Sequence, residues 1–100
     1  MIYKIHPQCL TNIKRFYRNV AKKYPNTYSR ELMRKNVIDA IQSMYKIEAG
    51  LLRRTPTISR WEGCYMANTS RWYYAYKIID DKIIVLDACH AQNMADMANN

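Results

Sequence analysis

Glycine is nearly missing from this chain: Gly50 and Gly63 are the only two in 100 residues. That scarcity excludes the glycine-rich loops that cradle phosphates in nucleotide-binding folds. Long apolar runs are missing too, and nothing approaches the roughly 20 residues needed to span a bilayer. The opening stretch MIYKIH lacks the apolar core of a secretory signal, so a cytoplasmic protein is expected, without a membrane-bound part. Cys9, Cys64 and Cys89 are odd in number, widely spaced and free of any CxxC pattern. They read as reduced, partly buried side chains rather than a disulfide framework or a zinc site. His6 and His90 have no partner four positions on, and no Cys/His/Asp/Glu spacing fits a metal site, so neither metal nor cofactor is expected.

Acidic side chains are the other shortage. Sixteen Lys and Arg face eight Asp and Glu, for a net charge of +8. The imbalance is uneven: residues 1–60 carry thirteen basic and three acidic side chains, whereas residues 61–100 carry three and five. A basic half of this kind favours a polyanion, through steering and the release of phosphate counterions. An acidic protein partner would satisfy the same field, and so would a plain solubilising surface.

What is present is organised around Arg71–His90, RWYYAYKIIDDKIIVLDACH. Two runs dense in Trp, Tyr, Ile and Val, Arg71–Ile79 and Lys82–Ala88, flank Asp80-Asp81 and predict a β-hairpin. Alternation puts Trp72, Tyr74, Tyr76 and Ile78 on one face and Arg71, Tyr73, Ala75, Lys77 and Ile79 on the other. In the second strand it groups Ile84, Leu86, Ala88 and His90 against Ile83, Val85 and Asp87. Trp72, Tyr74 and Tyr76 are expected to pack under helices.

Before the hairpin, Met1–His6 reads as a short edge strand ended by Pro7. Leu10, Ile13, Tyr17, Val20 and Tyr24 recur at helical spacing over Gln8–Lys23, with Phe16 and Ala21 broadening the stripe. Ser29 is a candidate N-cap, with Glu31 in the first turn, for a second helix running to about Ala49 and stopped by Gly50. Leu51–Arg60 is a basic connector, Gly63–Ala67 a short strand, and the segment after His90 a possible short helix. The expectation is one α+β domain over residues 1–100, in the order β-α-α-β-β-β: an antiparallel meander sheet backed by a helix hairpin.

That order, the basic N-terminal half and a closing strand near a histidine resemble the RelE/ParE superfamily of bacterial toxins from toxin–antitoxin pairs. The similarity rests on Gly63-Cys64-Tyr65 entering a strand, on Tyr76–Lys82 at the hairpin, and on Ile84–His90, which closes in an Asp-x-x-His pattern. The resemblance implies a small toxin wrapped by a cognate antitoxin. One branch of the superfamily cuts mRNA in the ribosomal A site; another inhibits DNA gyrase without nuclease activity. The nuclease branch uses basic residues on the concave sheet face and often a C-terminal Tyr or His. This chain departs from that pattern: Met66 and Asn68 stand where nuclease members carry lysines, an arginine position falls near Tyr73, and Ala91, Gln92 and Asn93 follow His90.

Metal-free RNA cleavage needs a group to take the 2′-OH proton, a donor for the leaving oxygen, and cations for the phosphorane. The expected catalytic set is Arg71, Tyr73 and His90, with Arg60, Tyr65 and Lys77 binding RNA. Arg60, Arg71, Tyr73 and His90 would meet on the concave face, and Tyr65 and Tyr73 could stack on bases. The plainer alternative for His90 is a histidine that ends a strand and hydrogen-bonds nearby backbone; for Arg71, it is the cap of an exposed hairpin end. Asp87 could orient Arg71 or His90, or form an ion pair. The implied function is a ribosome-dependent mRNA endonuclease, with ribosome, mRNA and antitoxin as partners. The alternatives are a gyrase-inhibiting toxin of the same fold and a basic nucleic-acid-binding module without toxicity.

Overall fold

The computed structural model describes the backbone of residues 1–98 and the side chains of residues 1–94. The aromatic and β-branched runs form a hairpin, β3 (Trp72–Ile79) and β4 (Lys82–His90), turned by Asp80 at φ 56°. Aspartate tolerates that left-handed conformation, which is why Asp-Asp serves as the turn. β2 (Tyr65–Asn68) adds antiparallel to β3. β1 (Ile2–Ile5) pairs with β4 in parallel, from Ile2 opposite Lys82 to Ile5 opposite Val85. The sheet therefore runs β1-β4-β3-β2: the expected antiparallel meander, plus a parallel edge strand that makes it mixed.

α1 (Pro7–Lys23) starts where β1 stops. Pro7 occupies its first turn, and the His6 ring caps it, Nδ1 accepting from the Gln8 N–H at 3.0 Å. Proline suits that turn because its missing N–H would have had no helical partner. α2 (Arg30–Met44) starts as expected, with the Ser29 hydroxyl accepting from the Leu32 N–H at 3.0 Å. It ends five residues before Ala49. The chain turns at 45–50, and Glu48, not Gly50, takes the left-handed conformation, at φ 66°. Glu48 is held there by a 2.7 Å ion pair with Arg53 and a hydrogen bond from the Tyr76 hydroxyl. α3 (Ala91–Ala98) follows β4 directly.

Both helices cover one sheet face. Cys9, Ile13 and Tyr17 of α1 and Ala40 and Met44 of α2 bury against Trp72, Tyr74, Tyr76, Ile83 and Val85. Each fully buried aromatic removes on the order of 150–250 Å² from water, about 4–6 kcal/mol of gross stabilisation as an upper bound. Their polar atoms are satisfied: Trp72 Nε1 donates to the Tyr17 hydroxyl at 2.9 Å, and the Tyr74 hydroxyl donates to the Ala40 carbonyl at 3.0 Å.

The other sheet face was expected to bring the site residues together. It carries a second small core instead, in which Ile58 and Trp61 of the connector pack on Met66, Ala75 and Cys89. A short 3₁₀ turn, Ser59–Trp61, carries Trp61, with Ile58 as its N-cap.

β4 also breaks the simple alternation. Tyr76 faces Val85 but Ala75 faces Asp87, so Leu86 is an extra residue, a β-bulge. Beyond it the faces exchange. Ala88 and His90 turn to the helix side, opposite Tyr74 and Trp72, while Asp87 and Cys89 turn to the second core. The grouping of His90 with Ile84 and Leu86 is thereby corrected; a bulge of this kind is known to re-aim side chains.

Candidate functional site

The bulge carries His90 against α1. Its ring stacks on Phe16 with centroids 3.9 Å apart and planes 10° apart, and Trp72 meets it edge-on at 5.2 Å. His90 Nδ1 accepts from the Gln92 N–H at 3.1 Å, so the imidazole caps the start of α3. That hydrogen bond assigns the neutral ring its proton at Nε2. Partial burial, with Arg71 nearby, holds the imidazole below its ordinary value of 6.5, because both disfavour the cation. The same arrangement, a histidine ring capping the helix two residues on, occurs at His6. The plainer alternative for His90, a strand-ending histidine bonded to backbone, describes what is found.

Asp87, on the far side of the bulge, gathers donors from three parts of the chain. Its carboxylate accepts from Asn12 Nδ2 of α1, from Trp61 Nε1 of the connector and from the Ala88 N–H, each at 2.9 Å. Arg60 approaches it at 3.4 Å. The ion pair foreseen for Asp87 thus has Arg60 as its partner, with neither Arg71 nor His90 bonded to the carboxylate. Arg60 stays 61% exposed and Asp87 13%, which leaves the guanidinium free to turn toward a ligand at little cost.

Two hollows open along this side of the molecule. The first, of about 420 Å³, is lined by Asn12, Arg15, Phe16, Arg60, Asp87 and His90, among others. The second, of about 500 Å³, includes Phe16, Lys23, Arg71, His90 and Gln92 in its lining. Phe16, His90 and Asn93 border both, so together the hollows form one furrow between α1 and the end of β4. Each hollow carries two cationic side chains, Arg15 and Arg60 in one and Lys23 and Arg71 in the other.

Of the six expected site residues, the furrow unites Arg60, Arg71 and His90. The other three lie elsewhere. Tyr73 faces Cys89 on the opposite sheet surface and packs into the second core, so it does not join His90. Tyr65 lies at the β2 edge opposite Tyr76, 40% exposed, with the Arg53 guanidinium 4.4 Å above its ring. Lys77 is exposed opposite Ile84, six residues along β3 from Arg71 and therefore about 20 Å away. The expected meeting of Arg60, Arg71, Tyr73 and His90 on the concave face does not occur. The second core fills that face, and the bulge turns His90 away from it.

Phe16 and Arg15 were not among the expected site residues. The available signal was that Phe16 sits beside the main apolar stripe of α1 rather than in it, next to a cation. Among the described residues, no cluster of three or more His, Cys, Asp or Glu side chains could hold a metal, and no helix is long and apolar enough to cross a membrane. The chain matches no protein-family model, no curated protein and no solved structure.

Chemically, the furrow offers flat ring surface, four cations and a neutral imidazole with its proton at Nε2. Such a set suits phosphates and bases.

Proposed function

We propose that this chain is the toxin of a bacterial toxin–antitoxin pair of the RelE/ParE kind. In this reading it is a cytoplasmic, ribosome-dependent endonuclease that cuts mRNA without a metal, and an acidic antitoxin neutralises it by covering the basic half. The observation that carries the reading is the convergence of Arg60, Arg71 and His90, from three separate stretches, on one basic furrow. The element order on which the resemblance rests, β-α-α-β-β-β with a short helix after the last strand, is also present.

Arg60 and Arg71 would hold the phosphate and take up charge as the phosphorane forms. His90 would donate a hydrogen bond from Nε2 to a phosphate oxygen; protonating the departing 5′-oxygen would require the imidazolium, with a second proton taken up at Nδ1. Accepting the 2′-OH proton at Nε2 would require moving the ring proton to Nδ1. The Gln92 N–H must then let go, so base chemistry at His90 is coupled to uncapping α3.

That same cap favours a second reading, in which the protein is a non-catalytic toxin inhibiting DNA gyrase. With His90 occupied as a cap and Tyr73 packed in a core, two of the three expected catalytic groups have structural work.

Inducible expression in a bacterium, followed by growth and by the 5′ ends of ribosome-bound mRNA, separates the readings. Growth arrest with new cuts at A-site codons, lost in Arg71→Ala and in the cap-preserving His90→Asn, supports the nuclease. Arrest with DNA damage and intact mRNA selects the gyrase inhibitor. Unimpeded growth overturns both toxin readings and leaves a basic nucleic-acid-binding module.

A further inference from the structure

The Phe16–His90 stack divides the furrow into two hollows of similar size, each with its own pair of cations. We infer that Phe16 is the base-stacking residue of a two-nucleotide site. A single-stranded dinucleotide step lies across the stacked pair, one nucleotide in each hollow and the linking phosphate over His90. This rests on the reading of the chain as a protein that acts on RNA, and it adds to that reading a residue and a register.

Four observations lead there. The hollows, about 420 and 500 Å³, each fall within the roughly 300–1,000 Å³ of small-molecule sites. Phe16 is only half-buried and borders both; His90 takes one face of its ring, which leaves the remaining ring surface for a base. The cations are divided, Arg15 and Arg60 on one side and Lys23 and Arg71 on the other, as successive phosphates of a strand require. Side-chain amides that can read base edges are divided as well: Gln8, held by Asn12, borders the first hollow, Asn19 and Gln92 the second, and Asn93 both.

Among the described residues, Asp87 is the one acidic side chain lining the first hollow, and it already accepts from Asn12, Trp61 and Ala88 and pairs with Arg60. Among the described residues, the second hollow's lining includes no acidic side chain. An anion therefore meets little opposing charge. A duplex cannot use such a site, because its bases are stacked on each other; a single strand can.

The test uses the full chain and 5′-phosphorylated, 2′-O-methylated ribo-oligonucleotides of one, two and three units, in which the modification blocks cleavage. Affinity is measured by calorimetry. The dinucleotide is expected to bind at least about tenfold more tightly than the mononucleotide, and a third unit to add little. Phe16→Leu keeps apolar volume against Trp72 and Tyr17 and should weaken the dinucleotide by roughly 5- to 150-fold, the worth of one stacked base. Phe16→Tyr keeps the ring and should bind as the parent does; thermal unfolding of both variants checks the fold.

Equal affinity for one and two units, binding of none, or a folded Phe16→Leu that binds as the parent does would each overturn the two-nucleotide site. Growth arrest with mRNA cuts alongside any of those results would leave the proposed function standing without it. Dinucleotide binding that depends on the Phe16 ring, in a chain that arrests nothing, would support the site and remove the toxin reading.

Discussion

Replacing Asp87 with alanine tests the idea that one carboxylate ties the connector and α1 to the bulged strand. Three donors lose a charged acceptor at 2.9 Å: Asn12 Nδ2, Trp61 Nε1 and the Ala88 N–H. Asn12 keeps a second acceptor, the Ala88 carbonyl at 3.2 Å, and so loses least. Trp61 is 2% exposed, so its indole N–H has no water to turn to. Hydrogen bonds to a charged group are worth about 1.5–3 kcal/mol each. The Arg60 pair, long and largely in solvent, adds less than about 1 kcal/mol. The expected cost is therefore about 3–5 kcal/mol, a large share of the roughly 5–15 kcal/mol that holds a domain of this size together. At about 4–8 °C per kcal/mol, Tm should fall by more than about 12 °C.

Urea unfolding followed by far-UV circular dichroism measures this without relying on Trp61 as a probe. Trp61→Phe removes the donor from the other side. The double variant should then cost less than the sum of the singles, by at least about 1 kcal/mol. An Asp87→Ala cost under about 1 kcal/mol, or strict additivity with Trp61→Phe, would refute the argument.

Three further outcomes are expected. Because His90 is held below its ordinary value of 6.5, the unfolded chain binds more protons than the folded one between those two values. Its contribution is therefore complete above about pH 6.5 and is lost as pH falls through the folded value. Melting curves at pH 7.5 and 5 should show a smaller drop in His90→Asn than in the parent, and equal drops would contradict the assignment. Tyr74→Phe removes a buried hydroxyl bonded to the Ala40 carbonyl and to the Ser43 hydroxyl; it should cost about 1–2 kcal/mol in urea unfolding. Burial pushes the Cys9 thiol up to about 12, with Asp87 adding to the shift. Iodoacetamide at pH 8 should accordingly modify half-buried Cys64 first and leave Cys9 intact until the protein unfolds, as mass spectrometry of the digested protein would show.

Local patterns were legible because local spacing decides them. The helical stripe of α1, the Ser29 cap of α2 and the alternation of Trp72, Tyr74 and Tyr76 each follow from neighbours a few residues apart. The early end of α2 was hidden because Glu48, not Gly50, takes the left-handed residue's place, stabilised by Arg53 and Tyr76 from outside the helix. The parallel pairing of β1 joins segments 80 residues apart and leaves no local mark. The second core was hidden because Ile58 and Trp61 are isolated apolar residues in a basic connector, with no period to reveal them.

The candidate site shows the same division. Arg60, Arg71 and His90 were recognisable as chemistry-bearing side chains near strand ends, but which of them share a surface depended on the bulge. Tyr73 and His90, placed together by uninterrupted alternation, lie on opposite faces.

Leu86 therefore acts like a shift of reading frame within one strand. Residues before it are spelled in one register and residues after it in the other, although no turn or gap marks the change. A relative that lacked this single residue would pair the remaining letters in unbroken alternation and show the same faces, its aspartate still opposite Ala75 and its histidine still opposite Trp72. A strand that kept Leu86 but paired it in regular alternation would instead turn its histidine out over the connector and drive its aspartate into the apolar layer beneath the helices. For proteins built on this sheet, a one-residue gap at this point of an alignment therefore marks the loss of the bulge and not of the site beyond it.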